Sequence, residues 1–376
     1  MHVAFDPQTF SMQAYGGISR YFYETAARLA GMPDTEVSLL AFLHVNAYLP
    51  GAPRGLVLGR RLRGLPQWTG RALVAANRAL ARGWLARHDV DLLHETYYSE
   101  RRIARAGVPT VVTVFDMIHE KFPHYAPRTE RIARLKRAAI QRADHLICIS
   151  EHTRRDLVDV HGIEPARTSV VTLGFSLQLD READARRPVA EPYLLFVGQR
   201  GGYKAFDTLL RAYAAAPALQ REFLLVCFGD VPLSARELAL MSELGIARDR
   251  VQHATGDDNR LAAHYRHAAL FVYPSRYEGF GIPPLEAMSF DCPVVCSNAA
   301  SLPEVVGDAA LMFEAGNPEA LRAAMASVLD SDERAAELRR KGRARITRFS
   351  WDACAQQTRA IYASVLEQRG RNGNPR

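Results

Sequence analysis

The sequence lacks several motifs that often reveal a protein's chemistry. Its 376 residues include five scattered cysteines without a Cys-x-x-Cys pair, so neither a disulfide framework nor a zinc site is predicted. No P-loop pattern, no Gly-x-Gly-x-x-Gly at the start of the first half and no His-Glu-x-x-His occurs. A P-loop site is therefore excluded, and a dinucleotide redox site is disfavoured.

Long apolar runs are also missing. No uninterrupted stretch of about 18 apolar residues exists, so no membrane-spanning helix is expected. The first residues show no basic segment followed by an apolar one, so no secretory signal is expected. The chain is nevertheless 48% hydrophobic, which is enough for a sizeable core. We expect a two-domain protein of the reducing cytoplasm.

Lysine is scarce, with four Lys against 44 Arg, and the net charge of +7 is unevenly placed. Residues 1–176 carry 23 basic and 16 acidic side chains, whereas residues 177–376 carry 25 of each. All of the excess therefore lies in the first half. This asymmetry predicts two domains with different partners, one of which faces an acidic surface or ligand.

Short apolar segments alternate with amphipathic ones along the whole chain, six in each half. Such segments are typical of strands buried on both faces of a parallel sheet. The alternation predicts an α/β protein with two doubly wound sheets in tandem. We predict domains at 1–177 and 193–350, a polar linker at 178–192, a closing helix at 351–368 that packs toward the first domain, and a disordered tail at 369–376.

Candidate binding residues follow the predicted strands of the second half. The loop GQRGGYKAF begins at Gly198 and carries Arg200 and Lys204, two cations that could reach a diphosphate. The next candidate loop has Glu278 and Glu286 around a Gly-Phe-Gly turn at a helix start. The turn is suited to an anion, and the carboxylates are suited to sugar or ribose hydroxyls. The alternative is that these charges only solvate loops or complement a helix dipole.

The first half offers weaker candidates. Gly16 and Gly17 precede a predicted helix and could approach the same diphosphate, although a simple helix-start turn would have the same pattern. His94 and Asp116 each end a predicted strand, and His119 lies just beyond. A histidine at a strand end is more often structural than catalytic.

Residues 261–308, which contain the sequence YPSRYEGFGIPPLEAM, strongly resemble the carboxyl-terminal signature of the retaining glycosyltransferases of family four. That signature has two glutamates, here Glu278 and Glu286, with seven residues between them around a Gly-Phe-Gly turn. The resemblance extends to GQRGGYKAF, GGISRYFYE, TVFDMIHEKFP and CISEHTRRDL and so covers nearly the whole chain. It implies the GT-B fold, in which two Rossmann-like domains face each other across a cleft.

The resemblance also implies roles for individual residues. The residues implied to act in catalysis are Glu278, Arg200, Lys204 and Asp116. Those implied to bind the donor are Gly17, Gly198, Gly279, Phe280, Gly281, Ile282 and Glu286. Apart from the resemblance, the positions of Gly16, His94 and His119 after predicted strands place these residues on the expected acceptor side.

The sequence departs from the family pattern at two positions. Many relatives have His immediately before the aspartate of the first domain, where this chain has Phe115. A histidine role near the sugar is therefore in doubt, and His119 is not an automatic substitute. Relatives also commonly have Gly before the Cys-Pro pair, where this chain has Asp291.

The expected activity is retaining transfer of a hexose, with mannose favoured, from a nucleotide sugar to a growing surface polysaccharide or lipid-linked glycan. We expect neither a metal nor another cofactor, a front-face mechanism, and a GDP-sugar rather than a UDP-sugar. Two alternatives stay open, namely an epimerase or phosphorylase of the same fold and a non-enzymatic sugar-binding protein.

The Arg-rich segment 54–87 could meet an anionic membrane surface, and the cytoplasmic face of the plasma membrane would then be the location. An ordinary solvated pair of helices explains the same arginines equally well. No nucleic-acid-binding motif is present.

Overall fold

The computed structural model of the chain describes residues 1–64, 70–124, 129–177 and 186–371. The chain forms two compact units, here called unit 1 (Met1–Gly174 with Ser350–Arg376) and unit 2 (Phe175–Phe349). Residues 178–185 of the predicted linker, residues 372–376 of the predicted tail and Trp68 of the Arg-rich segment lie outside the described residues.

Unit 1 is built on a parallel six-stranded sheet in the order β2-β1-β5-β6-β7-β8. Its strands are β1 (His2–Phe5), β2 (Glu36–Leu39), β5 (Leu92–Glu95), β6 (Thr110–Val114), β7 (His145–Cys148) and β8 (Thr168–Val170). A separate parallel pair consists of β3 (Leu43–His44) and β4 (Arg60–Arg61). The central strands are short, and β6 consists only of Thr and Val and is buried along its whole length, as expected for a sheet covered on both faces.

The helices of unit 1 include the last helix of the chain. They are α1 (Gln8–Met12), α2 (Gly17–Leu29), α3 (Gly70–Leu85), α4 (Ile118–Lys121), α5 (Thr129–Arg142), α6 (Glu151–His161) and α15 (Trp351–Arg371). Helix α15 packs along α2. At the start of α15, a Cβ on Gly174 would lie 2.3 Å from the backbone nitrogen of Trp351. Only glycine therefore fits where the chain at residue 174 touches the first residue of this helix.

Unit 2 has a second parallel six-stranded sheet, in the order β11-β10-β9-β12-β13-β14. Its strands are β9 (Tyr193–Val197), β10 (Leu224–Phe228), β11 (Val251–Ala254), β12 (Leu270–Tyr273), β13 (Val294–Ser297) and β14 (Leu311–Phe313). Its helices are α7 (Phe206–Ala214), α8 (Pro217–Glu222), α9 (Ala235–Glu243), α10 (Asp258–His267), α11 (Ile282–Ser289), α12 (Leu302–Val306), α13 (Pro318–Leu329) and α14 (Asp332–Ile346). One large core cluster packs the sheet against α7, α9 and α13.

Each sheet has one point where the order of its strands reverses. In unit 2 this point lies between β9 and β12, and in unit 1 it lies between β1 and β5. Ligands of open parallel sheets bind outside the carboxyl ends of the strands at such switch points. The loops after β9 and β12, and those after β1 and β5, are therefore the first places to examine.

The predicted α/β class and the twelve main strands are confirmed, with strand ends that differ by a residue or a few. The closing helix packs along α2 within unit 1, as predicted. One predicted boundary differs from the observed one. The tail was expected from residue 369, but α15 continues to Arg371, because a helix anchored by packing along another helix can extend beyond its last apolar contact.

Candidate functional site

At the switch point of unit 2, the loops after β9 and β12 bring Lys204 to Glu278. Lys204 Nζ lies 2.7 Å from Glu278 Oε1, and the two side chains are only 14% and 10% exposed. Lys204 Nζ also donates to the hydroxyl of Tyr273, 3.0 Å away. Two residues 74 positions apart thus form one partly shielded ion pair, in which a low effective dielectric strengthens the attraction between the charges.

The Gly-Phe-Gly turn lies beside this pair and leads into α11. Gly281 has φ +100°, a backbone conformation that favours glycine, and a Cβ there would lie 2.6 Å from the terminal methyl Cδ2 of Leu302, which would have to shift. The hydroxyl of Ser301 lies 2.8 Å from the carbonyl oxygens of both Glu278 and Phe280 and holds the turn from behind. Phe280 is buried and packs edge-on against Phe349 at 5.7 Å between ring centroids.

The start of α11 provides fewer backbone donors than an ordinary helix. Ile282, which is half-buried, is its first residue, and Pro283 and Pro284 follow. Proline has no N–H, so the backbone amides that precede the two prolines at this end belong to residues 279–282. Those are the residues that the sequence pattern singled out.

Glu286 lies one turn further along α11 and is half-buried. Its Oε2 accepts a hydrogen bond from the hydroxyl of Tyr265 at 3.1 Å. Tyr265 is fully buried in α10. The second glutamate of the pair is thus oriented by a residue to which the sequence pattern gave no role.

Arg200 does not join Lys204 at the switch point. Its side chain is 4% exposed, and its Nε lies 2.9 Å from Glu237 Oε1. Its Nη2 donates to the carbonyl oxygens of Val231 and Pro232. In this structure Arg200 ties the β10–α9 loop to the first turn of α9, in contrast to the predicted phosphate contact. Gly198, with φ +119° and no atom within 4 Å of a Cβ, leaves open space at the end of β9.

In unit 1, Asp116 follows β6 and is fixed from several sides. Its Oδ1 accepts from the backbone N of Ile118 at 3.0 Å and lies 3.6 Å from Lys136 Nζ. Lys136 is fully buried and also donates to the Asp116 carbonyl at 2.9 Å and to Glu120 at 2.8 Å. His119 Nδ1 lies 3.9 Å from Asp116 Oδ1, and burial lowers its pKa, with Lys136 lowering it further. Asp116 and His119, which are 24% and 18% exposed, therefore belong to one partly buried charge cluster around Lys136.

His94 has a structural position, and its expected place on the acceptor side is wrong. The residue is fully buried. Its Nδ1 contacts the hydroxyl of Tyr362, and its Nε2 contacts Thr113 Oγ1 at 2.9 Å. Burial lowers the pKa of His94 to about 3. An imidazole that is bonded on both nitrogens and sealed from solvent cannot meet a substrate.

Helix α1 occupies much of the predicted long loop after β1, and Gly16 then directly precedes α2, which begins at Gly17. A Cβ on Gly16 would lie 2.5 Å from the side-chain oxygen of Gln13, whereas a Cβ on Gly17 would meet no atom within 4 Å. Gly16 thus serves local packing, and only Gly17 faces space that a ligand could occupy.

Comparison with known proteins decides the family. The model described as Glycosyl transferases group 1 matches residues 180–345, and that described as Glycosyltransferase Family 4 matches residues 15–179. An O-antigen chain mannosyltransferase B of Escherichia coli is 29% identical and covers 92% of this chain and 95% of its own. A D-inositol 3-phosphate glycosyltransferase 2 of Catenulispora acidiphila is 32% identical, over 74% of this chain and 71% of its own. The chain belongs to glycosyltransferase family 4.

The fold of this transferase agrees with that membership. The structure of HepE from Anabaena in complex with UDP-glucose superposes with a TM-score of 0.70 at 20% identity, over 97% of this chain and 100% of the other. Two units, each with a doubly wound parallel sheet, are the expected components of the GT-B fold, which is thereby confirmed.

The structure explains both departures of the transferase from its family pattern. Asp291 has φ +57°, a conformation that glycine adopts without strain. Its carboxylate is held by Arg343 at 2.6 Å and 3.0 Å. Phe115 is buried and packs edge-on against Tyr21 at 5.4 Å, so its side chain belongs to the interior rather than to the surroundings of Asp116.

Within the described ranges, the transferase has no cluster of three or more His, Cys, Asp or Glu side chains arranged to hold a metal ion. Asp-x-Asp spacing does occur twice, at Asp89 with Asp91 and at Asp330 with Asp332. Asp89 pairs with Arg105 at 2.6 Å, and Asp91 accepts from the backbone N of His2 at 2.8 Å. None of the helices in the described part of the chain is both long and apolar enough to span a membrane.

Sequence reasoning missed four residues that support the site of the transferase. They are Tyr273, Tyr265, Ser301 and Lys136. A hydroxyl at the end of the otherwise apolar strand Leu270–Tyr273 was the one available signal, because a buried polar group needs a partner. The others depend on contacts between distant segments and left no local pattern.

Proposed function

We propose that this transferase moves a hexose, with mannose favoured, from a nucleoside-diphosphate sugar to a growing surface-polysaccharide or lipid-linked glycan. The observation that carries the proposal is the Lys204–Glu278 pair at the switch point of unit 2, 2.7 Å apart beside the Gly-Phe-Gly turn. One cation and one carboxylate at a strand end match the two chemical parts of a nucleotide sugar, its phosphates and its hydroxyls. The relationship to an O-antigen chain mannosyltransferase over 92% of this chain favours mannose and a polysaccharide acceptor.

Each part of the unit 2 site has a role in the proposal. Glu278 accepts hydrogen bonds from the hydroxyls of the donor sugar. Lys204 and the amides of residues 279–282 stabilise the negative charge that develops on the leaving β-phosphate. Glu286, one turn along α11, accepts from the ribose hydroxyls. Arg200 supports the loop that it tethers, and it would contact phosphate only after leaving Glu237.

The proposed reaction is a front-face substitution that retains configuration. The bond from the sugar anomeric carbon to the β-phosphate oxygen breaks with its electron pair on the phosphate. The acceptor hydroxyl oxygen forms a new bond on the same face through an oxocarbenium-like state, and its proton passes to the departing phosphate. Because the acceptor oxygen attacks directly and the leaving phosphate takes its proton, the proposal requires no protein nucleophile. Because Lys204 and the backbone amides stabilise the charge on the phosphate, it requires no metal ion. In unit 1, Asp116 and Gly17 are proposed to face the acceptor and the phosphates, with Gly16 supporting that loop.

We propose a GDP-sugar as the donor, although one protein of similar structure binds a UDP-sugar. GDP-sugars are favoured on the overall resemblance, whereas HepE was solved with UDP-glucose. Incubating the full chain with GDP- and UDP-hexoses and measuring thermal stabilisation would identify the base, since a ligand that binds only the folded state raises its melting temperature.

The test of function is transfer itself, with Glu278→Gln as the decisive variant. We expect the wild type to release nucleoside diphosphate from one donor when a glycan acceptor is present, with the same rate in EDTA. Glu278→Gln should lower turnover by about 100-fold, and Glu243→Gln, on the exposed side of α9, should not. Retained turnover in Glu278→Gln would overturn the site. Interconversion of free nucleotide sugars without an acceptor would instead show an epimerase, and binding without any turnover would show a sugar-binding protein.

We further propose that the Arg-rich segment 54–87 contacts an anionic surface during catalysis. Helix α3 buries Leu73, Ala81 and Leu85, while Arg71 and Arg82 are exposed. Sedimentation with vesicles of anionic lipid at low salt would test it. Binding should weaken as salt is raised, and equal sedimentation with neutral vesicles would contradict the proposal.

A further inference from the structure

Tyr273 is a polar residue in a place that favours apolar ones. It is the last residue of β12, follows Leu, Phe and Val, and is 1% exposed. Its ring stacks on that of Phe271 at 5.7 Å between centroids. A buried hydroxyl is costly unless it is hydrogen-bonded, so the contacts of this hydroxyl indicate why the side chain is not simply phenylalanine.

The hydroxyl of Tyr273 lies at the Lys204 ammonium. Nζ donates to it at 3.0 Å and to Glu278 Oε1 at 2.7 Å. The same ammonium lies 5.2 Å from the ring centroid of Tyr203, within the range of a cation–π attraction. Lys204 is thus held by a carboxylate, a phenol oxygen and one aromatic ring, with one of its three N–H donors left for a ligand.

The phenol is fixed in its neutral form. Burial raises the pKa of Tyr273 well above its ordinary value, and the Glu278 carboxylate raises it further. A neutral phenol can accept from Lys204 and keep its own proton. The group of three therefore has one positive, one negative and one neutral member, and its charges balance before any substrate arrives.

The second glutamate has a matching arrangement. Tyr265, fully buried in α10, donates to Glu286 Oε2 at 3.1 Å. Its ring lies 5.4 Å from that of Phe271, the residue that stacks on Tyr273. The two tyrosines are thus joined through one buried ring, and each directs its hydroxyl to a charged group of the proposed donor site.

We propose that Tyr273 is a positioning residue for the transfer reaction, whose hydroxyl holds the Lys204 ammonium beside Glu278, and that Tyr265 does the same for Glu286. This inference rests on the proposed function. A lysine side chain otherwise loses considerable rotamer freedom when a ligand immobilises it. Holding the ammonium in place beforehand transfers that cost from the transition state to folding.

The first experiment compares Tyr273→Phe with Tyr213→Phe. Tyr213 is also fully buried in unit 2, but its hydroxyl donates to the carbonyl of Phe223 at 2.7 Å, away from the site. Tyr273→Phe should lower kcat by about 10-fold, the loss expected for one hydrogen bond to a charged group. Tyr213→Phe should leave kcat unchanged. Tyr265→Phe should raise the KM for the donor and leave kcat nearly unchanged. The reason is that Glu286 is proposed to bind the ribose equally well before and during the reaction.

The second experiment repeats Tyr273→Phe in a Lys204→Met chain, where residual transfer is followed over long times. If the tyrosine acts through Lys204, the second substitution has no further effect on kcat. An equal loss in both backgrounds would show a structural role and overturn the proposal, as would full activity of Tyr273→Phe in the wild-type chain.

A readout without substrate separates this inference from the proposed function. The chain has only four lysines, so reductive methylation can be followed at each by mass spectrometry. In Tyr273→Phe, Lys204 should be methylated severalfold faster than in the wild type, with Lys341 as the internal reference. Unchanged methylation of Lys204 would overturn the positioning role even in an active transferase. Faster methylation in a chain that turns over no nucleotide sugar would keep that role and reject the function.

Discussion

The two switch points occupy equivalent places in their sheets but differ in what fills them. In unit 1, Asp6 directly follows β1 and is 1% exposed. Its carboxylate accepts from the backbone N of Thr96 at 2.8 Å and from the side chain of Gln8 at 2.5 Å. In unit 2, the Lys204–Glu278 pair is still reachable from solvent. One switch point is sealed by hydrogen bonds between its own loops, and the other presents two opposite charges.

The difference shows that topology provides a place for a site, whereas local side chains decide whether it is used. Asp6 links the loops after β1 and β5. Its buried carboxylate oxygens are not exposed to a ligand. In unit 2 the corresponding loops carry Lys204 and the Gly-Phe-Gly turn. Unit 1 has 27 basic and 18 acidic residues, whereas unit 2 has 21 and 23. The unit with the larger net positive charge is thus not the one with the ion pair at its switch point.

The strongest way to break this comparison is to remove the cation of unit 2. Lys204→Met should lower turnover by about 100-fold or more, because one donor to the developing phosphate charge is lost. The melting temperature should also fall, since Lys204→Met leaves the buried Glu278 carboxylate without its cation, so turnover is compared at a temperature at which both chains are folded. Lys341→Met is the control, because Lys341 in the same unit pairs with Glu337 at 2.9 Å on the surface. Comparable losses of turnover in both variants would show that transfer does not depend on the position of Lys204 at the switch point.

The second prediction concerns Asp6, where stability rather than activity should respond. Asp6→Ala leaves the Thr96 amide and the Gln8 side chain without their partner, which should lower the free energy of unfolding by about 2–3 kcal/mol. Urea unfolding measures this, with Asp89→Ala as the control, since the Asp89 side chain is fully exposed. The KM for the donor should stay within a factor of about two, because an unused site contributes no binding energy. A large rise in KM would mean that the unit 1 switch point also binds substrate.

The comparison also shows which features the sequence could predict. Strands such as Leu270–Tyr273 and Leu224–Phe228 are short apolar runs, and their burial follows from composition alone. The pairing of Lys204 with Glu278 was not visible, although both were candidates, because it depends on β9 and β12 being neighbours. The direction of Arg200 depends on Glu237, 37 residues away, and no spacing rule links them. The role of Tyr273 likewise depends on a contact with Lys204 from another loop, so the sequence shows only the last residue of an apolar strand.

The third prediction compares the glycines that start α11 and α2. Gly281→Ala places a Cβ against Leu302 at positive φ, so it should lower the free energy of unfolding by about 1–2 kcal/mol and raise the KM for the donor. Gly17→Ala meets no neighbour and should leave stability unchanged. Chemical unfolding and donor titration check both variants. If Gly17→Ala keeps its stability but loses transfer, a ligand approaches unit 1 at that helix start. Equal destabilisation in both would contradict the contrast.

The smallest expected effect tests how completely the interior of unit 1 is sealed. The pKa of His94 is lowered from 6.5 to about 3 by burial, so the unfolded chain binds a proton below pH 6.5 that the folded chain does not. His94 therefore contributes stability that is fully present above its unfolded pKa and is lost as the pH falls below it. Glu95, whose pKa burial raises to about 7, acts in the opposite direction, so the wild type must be compared with a variant that keeps Glu95.

His94→Gln is that variant. Between pH 7.5 and 5.5 the wild type should lose about 1.4 kcal/mol more unfolding free energy than His94→Gln, since one proton is taken up only by the unfolded wild type. Urea midpoints at the two pH values measure the difference in slope, whatever the variant costs in absolute stability. Parallel slopes would mean that solvent reaches the imidazole in the folded protein. The contrast between a sealed unit 1 interior and an accessible unit 2 pair would then no longer hold.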